Sequence, residues 1–199
     1  VVEQGLASCR LAKSRLAVSF AMKVGLENIT CHKGCNHCCH YPVTISIWEG
    51  ISLYRVLQQD GLWRSQLKTS LERHAHLTFG AAPEIWLMAA IPCPLLVDGL
   101  CSVYYSRPFR CRVTSSTKDP DMCRSVYFGP ETFENTQRET AEFSEAERRA
   151  SKASRDHVRG LDEHVPLSVA ILLGCQIVEE EIQLEEIPLT LLKMLSRST

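Results

Sequence analysis

The stretch CHKGCNHCC at residues 31–39 places four of the chain's ten cysteines within nine residues. A second set follows, Cys93, Cys101, Cys111 and Cys123, with seven, nine and eleven residues between successive members. Cysteine used as apolar filler keeps helical or strand periodicity, whereas both sets fall among glycine and proline, where the chain is least regular. Metal ligation explains that placement. Thiolates two or three residues apart converge on one centre at little entropic cost, and the 53 residues between Cys39 and Cys93 add only logarithmically to it. The expectation is a fold in which two irregular loops meet at an inorganic centre.

Composition narrows the alternatives. With 199 residues and 45% hydrophobic content, the chain can bury a core without covalent staples. Lys and Arg number 22 against 23 Asp and Glu, a formal net charge of -1 that gives no reason to expect nucleic acid or a membrane surface as partner. The expected partners are instead an unknown small molecule or a protein substrate. No apolar stretch is long enough to span a bilayer, and VVEQGLASCRLAKSR lacks the basic-then-apolar pattern of a signal peptide. A cytoplasmic location is therefore expected, with the opening valine compatible with a removed leader. In a reducing compartment, ten cysteines favour metal over disulfides.

Periodicity supplies the elements. Val2, Leu6, Cys9, Leu16, Phe20 and Val24 recur at steps that share one helical face, predicting an amphipathic helix over 2–25 with Cys9 in its core stripe. SIWE at 46–49 has the spacing of a capping box, and Ile47, Ile51 and Tyr54 follow as an inward stripe of a helix running to about Gln59. Trp63, Leu67, Leu71 and His74 predict a third helix closing near Gly80, in which His74 and His76 read as ordinary helix residues. Between Pro83 and Pro130 the chain reads as loop and turn, with Asp98-Gly99 a turn. Residues 131–161 predict a long solvated helix with the thin stripe Phe133, Thr140, Phe143 and Ala150. VPLSVAILLG at 165–174 predicts a short buried helix with proline in its first turn, glycine at its close and Cys175 as a packed thiol beyond it. IPLTLLKML at 187–195 predicts one more short helix. Together these elements predict a mainly α fold, a single helical domain over 1–199 of about five to seven helices. It is organised around an irregular cysteine-rich metal centre in 31–124, with helical flanks at 1–30 and 131–199.

The adjacent pair Cys38 and Cys39 bears on the metal. In an extended chain neighbouring side chains point to opposite sides, so both reach one small ion only across a sharp turn, whereas an iron-sulfur cluster presents ligand positions farther apart. This leans toward iron-sulfur, although eight thiolates equally fill two tetrahedral zinc sites and spacing alone does not identify the element. His32, His37 and His40 flank the thiolates, as ligands of a mixed site or, more commonly, as donors to the ligands or exposed side chains. Four thiolates on a divalent ion leave a net charge of about -2, which Arg107, Arg110 and Arg112 around Cys111 can offset. Tyr104 packs beside them with a hydroxyl that can face a substrate. Tyr104, Tyr105, Arg107, Arg112, His37 and His40 are the polar groups a catalytic site would draw on. No glycine-rich phosphate loop, nucleophile elbow or His-Glu-x-x-His helix accompanies them, so no catalytic residue is assigned.

The run CHKGCNHCC followed by CPLLVDGLCSVYYSRPFRCR resembles the CxxCxxCC family of zinc- or iron-chelating proteins, the YkgJ-type cysteine cluster proteins, to which the flagellin lysine N-methylases are related. The motifs cover residues 31–43 and 92–124, and all eight family cysteines have counterparts here: Cys31, Cys35, Cys38, Cys39, Cys93, Cys101, Cys111 and Cys123. Two positions depart from the pattern. Tyr105 stands where the family frequently has an acidic residue, and Leu95 where it usually has phenylalanine. Neither change removes a ligand, but the first removes a carboxylate, and with it any acid-base role carried over from relatives. The resemblance implies metal binding at these eight cysteines. Through the methylase branch it further implies an iron-sulfur cluster such as 4Fe-4S, in an iron-sulfur-dependent modifying enzyme with an open iron for a substrate or S-adenosylmethionine. The alternatives are a zinc-stabilised helical interaction module without catalysis and, least favoured, an extracellular disulfide scaffold.

Overall fold

A computed structural model of the chain describes residues 30–113, 123 and 164–179. Of the described residues 59% are helical and 10% lie in strands, in agreement with the mainly α expectation. The helices predicted over 2–25, 131–161 and 187–195 lie outside the described residues, as does Cys9.

The core forms around two helices of similar length. Strand β1 (Thr44–Ser46) leads directly into α1 (Ile47–Gln59), and strand β4 (His164–Pro166) leads into the helix Leu167–Glu179, numbered α5. The strands pair antiparallel, Ile45 opposite Val165, and the Leu167 N–H donates to the Val43 carbonyl at 3.0 Å. Both helices therefore start from one sheet. The predicted capping box is present: Glu49 Oε2 accepts the Ser46 N–H and hydroxyl, each at 3.3 Å, satisfying groups that a helix start leaves unpaired. Ile47, Ile51 and Tyr54 are fully buried, as their spacing requires.

Helices α1 and α5 approach until their backbones touch. A Cβ built on Gly50 falls 2.0 Å from the Ala170 carbonyl oxygen, and one on Gly174 falls 2.7 Å from the Gly50 carbonyl carbon and the Ile51 nitrogen. Only hydrogen fits at either position. Gly174, expected to close its helix, lies instead in the interior of α5, which continues to Glu179, and Pro166 belongs to β4 rather than to the first helical turn. The close approach outweighs the usual cost of glycine within a helix. Cys175, one residue on, is buried as expected, and its thiol donates to Glu179 Oε2 at 3.3 Å. Tyr54 donates to the other Glu179 oxygen and accepts from Gln58 Nε2 at 2.6 Å, joining the far ends of the two helices.

Helix α2 (Ser65–Thr78) packs on α5 through Leu71, His74 and Ala75. Its predicted stripe holds except at Trp63, which precedes the helix and sets its ring edge-on to Tyr54 at 4.7 Å. The close near Gly80 is also observed, with that residue at φ +73°. His74 is buried, its Nδ1 hydrogen-bonded to Ser168 Oγ at 2.9 Å, and burial lowers its pKa to about 4; His76 is exposed. The stretch after Pro83 departs from the loop reading. It contains α3 (Pro83–Ala89), a hairpin of β2 (Leu96–Val97) and β3 (Leu100–Cys101), and the short helix α4 (Phe109–Val113). Proline at the start of α3 fits a first helical turn, where it forfeits no hydrogen bond. The Asp98-Gly99 turn is present, both residues at positive φ (49° and 76°), as a two-residue hairpin turn demands.

Two outcomes follow from this packing. Gly174→Ala drives a methyl into the backbone of α1 and is expected to lower stability by about 2 kcal/mol or more, a melting-temperature loss on the order of 5 °C. Gly61→Ala is the comparison, since no atom of the described residues beyond its chain neighbours lies within 4 Å of the Cβ it would add and its cost is confined to φ +65°. The second outcome concerns pH. His74 has a folded pKa below its ordinary 6.5, so its contribution is whole above pH 6.5 and is lost as the pH falls toward about 4. Urea unfolding at pH 7 and pH 4.5 should show a loss of at most about 3 kcal/mol from this group, which His74→Gln removes.

Candidate metal centre

The first cysteine block is a pair of tight turns. Gly34, at φ +100°, closes a turn in which the Cys35 N–H donates to the His32 carbonyl at 3.1 Å. A 3-10 turn over His37–His40 follows, with the Cys39 N–H on the Asn36 carbonyl at 2.9 Å. The backbone at Cys38 and Cys39 is therefore turned rather than extended. Cys38 and Cys39 thus sit on the sharp turn that ligation of one small ion requires, so adjacency no longer separates a cluster from a single ion.

The second block is strung along the short elements that follow α3. Cys93 follows α3, Cys101 ends β3 and Cys111 lies within α4. Hydrogen bonds fasten this block to the first. The Cys93 N–H donates to the Cys39 carbonyl at 2.7 Å, Asn36 Nδ2 donates to the Gly99 carbonyl at 3.2 Å, and the Tyr41 hydroxyl donates to the Cys123 carbonyl at 2.8 Å. Helix α4 is held from the core: Glu49, whose Oε2 caps α1, accepts the Phe109 N–H on Oε1 at 2.7 Å. One carboxylate thus ties the start of the main core helix to the start of the helix bearing Cys111.

Electrostatics reports the same proximity among the thiols. The adjacent Cys39 thiol and then burial push the Cys38 thiol well up, with the Arg107 charge opposing. Burial pushes Cys93 up to about 12, and the fields of Cys101 and Cys38 add to it. Cys111 is raised well above the ordinary thiol value by burial first and then by Cys93, Cys38 and Cys101, while burial raises Cys101 against the opposing Arg107. Tyr41 is raised by burial and by the fields of Cys123, Cys38 and Cys35. Cys38, Cys93, Cys101 and Cys111 therefore lie within one another's electrostatic reach, with Cys35 and Cys123 toward Tyr41. Cys31 is exposed at the edge. No disulfide joins the described cysteines, and no three His, Cys, Asp or Glu side chains among the described residues stand close enough to hold an ion as they are.

The remaining candidates distribute around these thiols. His32 is exposed, its Nδ1 3.0 Å from the Lys33 carbonyl oxygen, while His37 and His40 bound the 3-10 turn and are half-buried. Arg107 lies over the Tyr104 ring with Cζ 4.0 Å from the centroid; Arg110 and Arg112 are half-buried on α4. Tyr105 is 85% exposed, with Lys33 Nζ 5.5 Å from its ring centre. The structure adds Asn36, Tyr41 and the second oxygen of Glu49. Glu49 is legible in the sequence as a cap, but nothing in its spacing announces a bond to residue 109, and Asn36 and Tyr41 carry no periodic signal.

A family model named CxxCxxCC, described as "Putative zinc- or iron-chelating domain", matches residues 30–141. No curated protein and no solved structure matches the chain.

Glu49→Ala removes the cap and the tether of α4 together and is expected to cost about 2 kcal/mol, whereas Glu49→Gln, which keeps an acceptor oxygen, should cost about half as much. Denaturant midpoints give the stabilities. Alkylation of Cys111, followed by peptide mass, should accelerate more in the alanine variant.

Proposed function

The chain belongs to the CxxCxxCC domain family, and from that premise we propose that its function is carried by a cysteine-ligated metal centre shared between the two blocks, filled by an iron-sulfur cluster. The observation that carries the shared centre is the Cys93-to-Cys39 backbone bond, which unites the blocks around Cys38. The chemistry of the donors fits. Buried thiols that raise one another's pKa are poor thiolates alone, and a cation reverses that balance by taking the place of their protons. The thiols stand gathered rather than closed on a point, so ligation involves side-chain rotation, the ordinary coupling of metal binding to local order.

The proposed ligands are drawn from Cys31, Cys35, Cys38, Cys39, Cys93, Cys101, Cys111 and Cys123, with Cys38, Cys93, Cys101 and Cys111 innermost. Iron-sulfur is favoured because Cys38, Cys93, Cys101 and Cys111, which feel one another's fields, come from both blocks and from separate stretches of the chain, a spread suited to a body wider than one ion. When bound, such a cluster supplies one-electron chemistry and, where an iron lacks a cysteine, a position for a substrate or S-adenosylmethionine. The residues of the chain hold and shield it: Leu95, Val103 and Phe109 are buried beside the ligands in sequence, and Glu49 keeps the Cys111 helix in register. Zinc is the second reading, favoured by the tight 3-10 turn that carries Cys38 and Cys39, the sharp turn two neighbouring ligands of one small tetrahedral ion need.

Anaerobic purification with iron, zinc and acid-labile sulfide analysis tests the proposal. Brown protein with matching iron and sulfide is expected; colourless protein with zinc supports the second reading, and protein free of both overturns the centre. Cys111→Ser and Cys35→Ser should each lower metal content and melting temperature together, the former more because the Cys111 helix is also held from the core by Glu49.

A further inference from the structure

Tyr41 is held at one end and holds at the other. Its backbone N–H donates to the Cys38 carbonyl at 3.2 Å, closing the 3-10 turn that carries Cys38 and Cys39, while its hydroxyl donates to the Cys123 carbonyl at 2.8 Å, 82 residues along the chain. The next residue is Pro42, whose ring disfavours helical backbone at the position before it, and Tyr41 is accordingly extended, at φ −91° and ψ 156°. Beyond the proline the Val43 carbonyl accepts the Leu167 N–H, so this backbone is fastened to the core as well as to the turn. A phenol ring swings about only two bonds, and from a fixed backbone its hydroxyl is aimed at little entropic cost. The ring is half-buried, and the hydroxyl engages the carbonyl of Cys123 rather than its thiol.

The other cysteines of the second block are placed by their own elements. Cys93 donates its N–H to the Cys39 carbonyl, Cys101 lies in the β2–β3 hairpin, and Cys111 lies in the helix tethered to Glu49. Cys123, with eleven residues between it and Cys111, is tied to the first block from the Tyr41 side chain. Bringing a thiol back across such a stretch costs loop-closure entropy at each ligation, and an anchor already in place removes part of that cost.

We propose that Tyr41 is a positioning residue for Cys123: its hydroxyl, aimed by the extended backbone before Pro42, holds the Cys123 main chain so that this thiol joins Cys38 and Cys39 at the metal centre. This rests on the reading of the chain as a metal-binding protein and deepens it by assigning the last of the clustered cysteines to the first block's site.

The test titrates the full chain, without oxygen, with cobalt(II) alone, read by the thiolate-to-cobalt absorption band, in wild type, Tyr41→Phe, Cys123→Ser and the double variant. Tyr41→Phe keeps the ring and removes the donor, and should weaken cobalt binding about fivefold, the effect of one hydrogen bond. Cys123→Ser should weaken it more. In the Cys123→Ser background the phenylalanine should add no further loss, because residues that act through one contact are not additive. With cobalt saturating, alkylation read by peptide mass should rise at Cys123 in Tyr41→Phe and hold at Cys93. If wild type takes up no cobalt, the metal reading fails and this assignment with it. If wild type binds and either single variant binds equally well, the assignment alone is overturned. It is overturned equally if the two losses add in the double variant, or if alkylation rises at all the clustered cysteines alike.

Discussion

The contact between α1 and α5 at Gly50 and Gly174 is the constraint from which the rest of the described structure follows. Helices that touch through their backbones bring β1 and β4 into register at one end and Tyr54 to Glu179 at the other. They also set the depth at which Glu49, the neighbour of Gly50, sits. That depth matters because Glu49 caps its own helix with one oxygen and holds the Phe109 N–H with the other. A close crossing in the core is in this way linked through a single carboxylate to the helix that carries Cys111.

The cysteine blocks, by contrast, own little of the core. Their order comes from tight turns and from a few bonds between backbone and polar side chains, Cys93 to Cys39, Asn36 to Gly99 and Tyr41 to Cys123. Such contacts are individually worth about 1 kcal/mol. They gather thiols that burial and mutual repulsion oppose as thiolates, so the arrangement is one whose electrostatic balance a cation improves.

What the sequence reveals depends on whether the determining interaction is local. The Ser46-to-Glu49 box, the stripe Ile47, Ile51, Tyr54 and the Asp98-Gly99 turn are settled within a few residues and are legible. Helix α3 is not, because proline, glycine and cysteine nearby give the stretch a loop texture although Pro83 itself suits a first turn. Gly174 reads as a stop because its true reason lies on another helix, 124 residues earlier, at Gly50. The same holds at the candidate centre. The cysteines announce themselves, whereas the 3-10 turn that joins Cys38 to Cys39 and the anchors Asn36, Tyr41 and Glu49 depend on partners that spacing does not reveal.

The pairing of β1 with β4 has a consequence for biosynthesis. Thr44–Ser46 and its partner His164–Pro166 are separated by more than a hundred residues, so a ribosome adding roughly 5–20 residues per second makes the first strand on the order of ten seconds before the second exists. Throughout that interval the apolar side of α1, with Ile47, Ile51 and Tyr54, has no Leu167–Glu179 to cover it. By the end of that interval all eight clustered cysteines have been made while the central helix still lacks its partner.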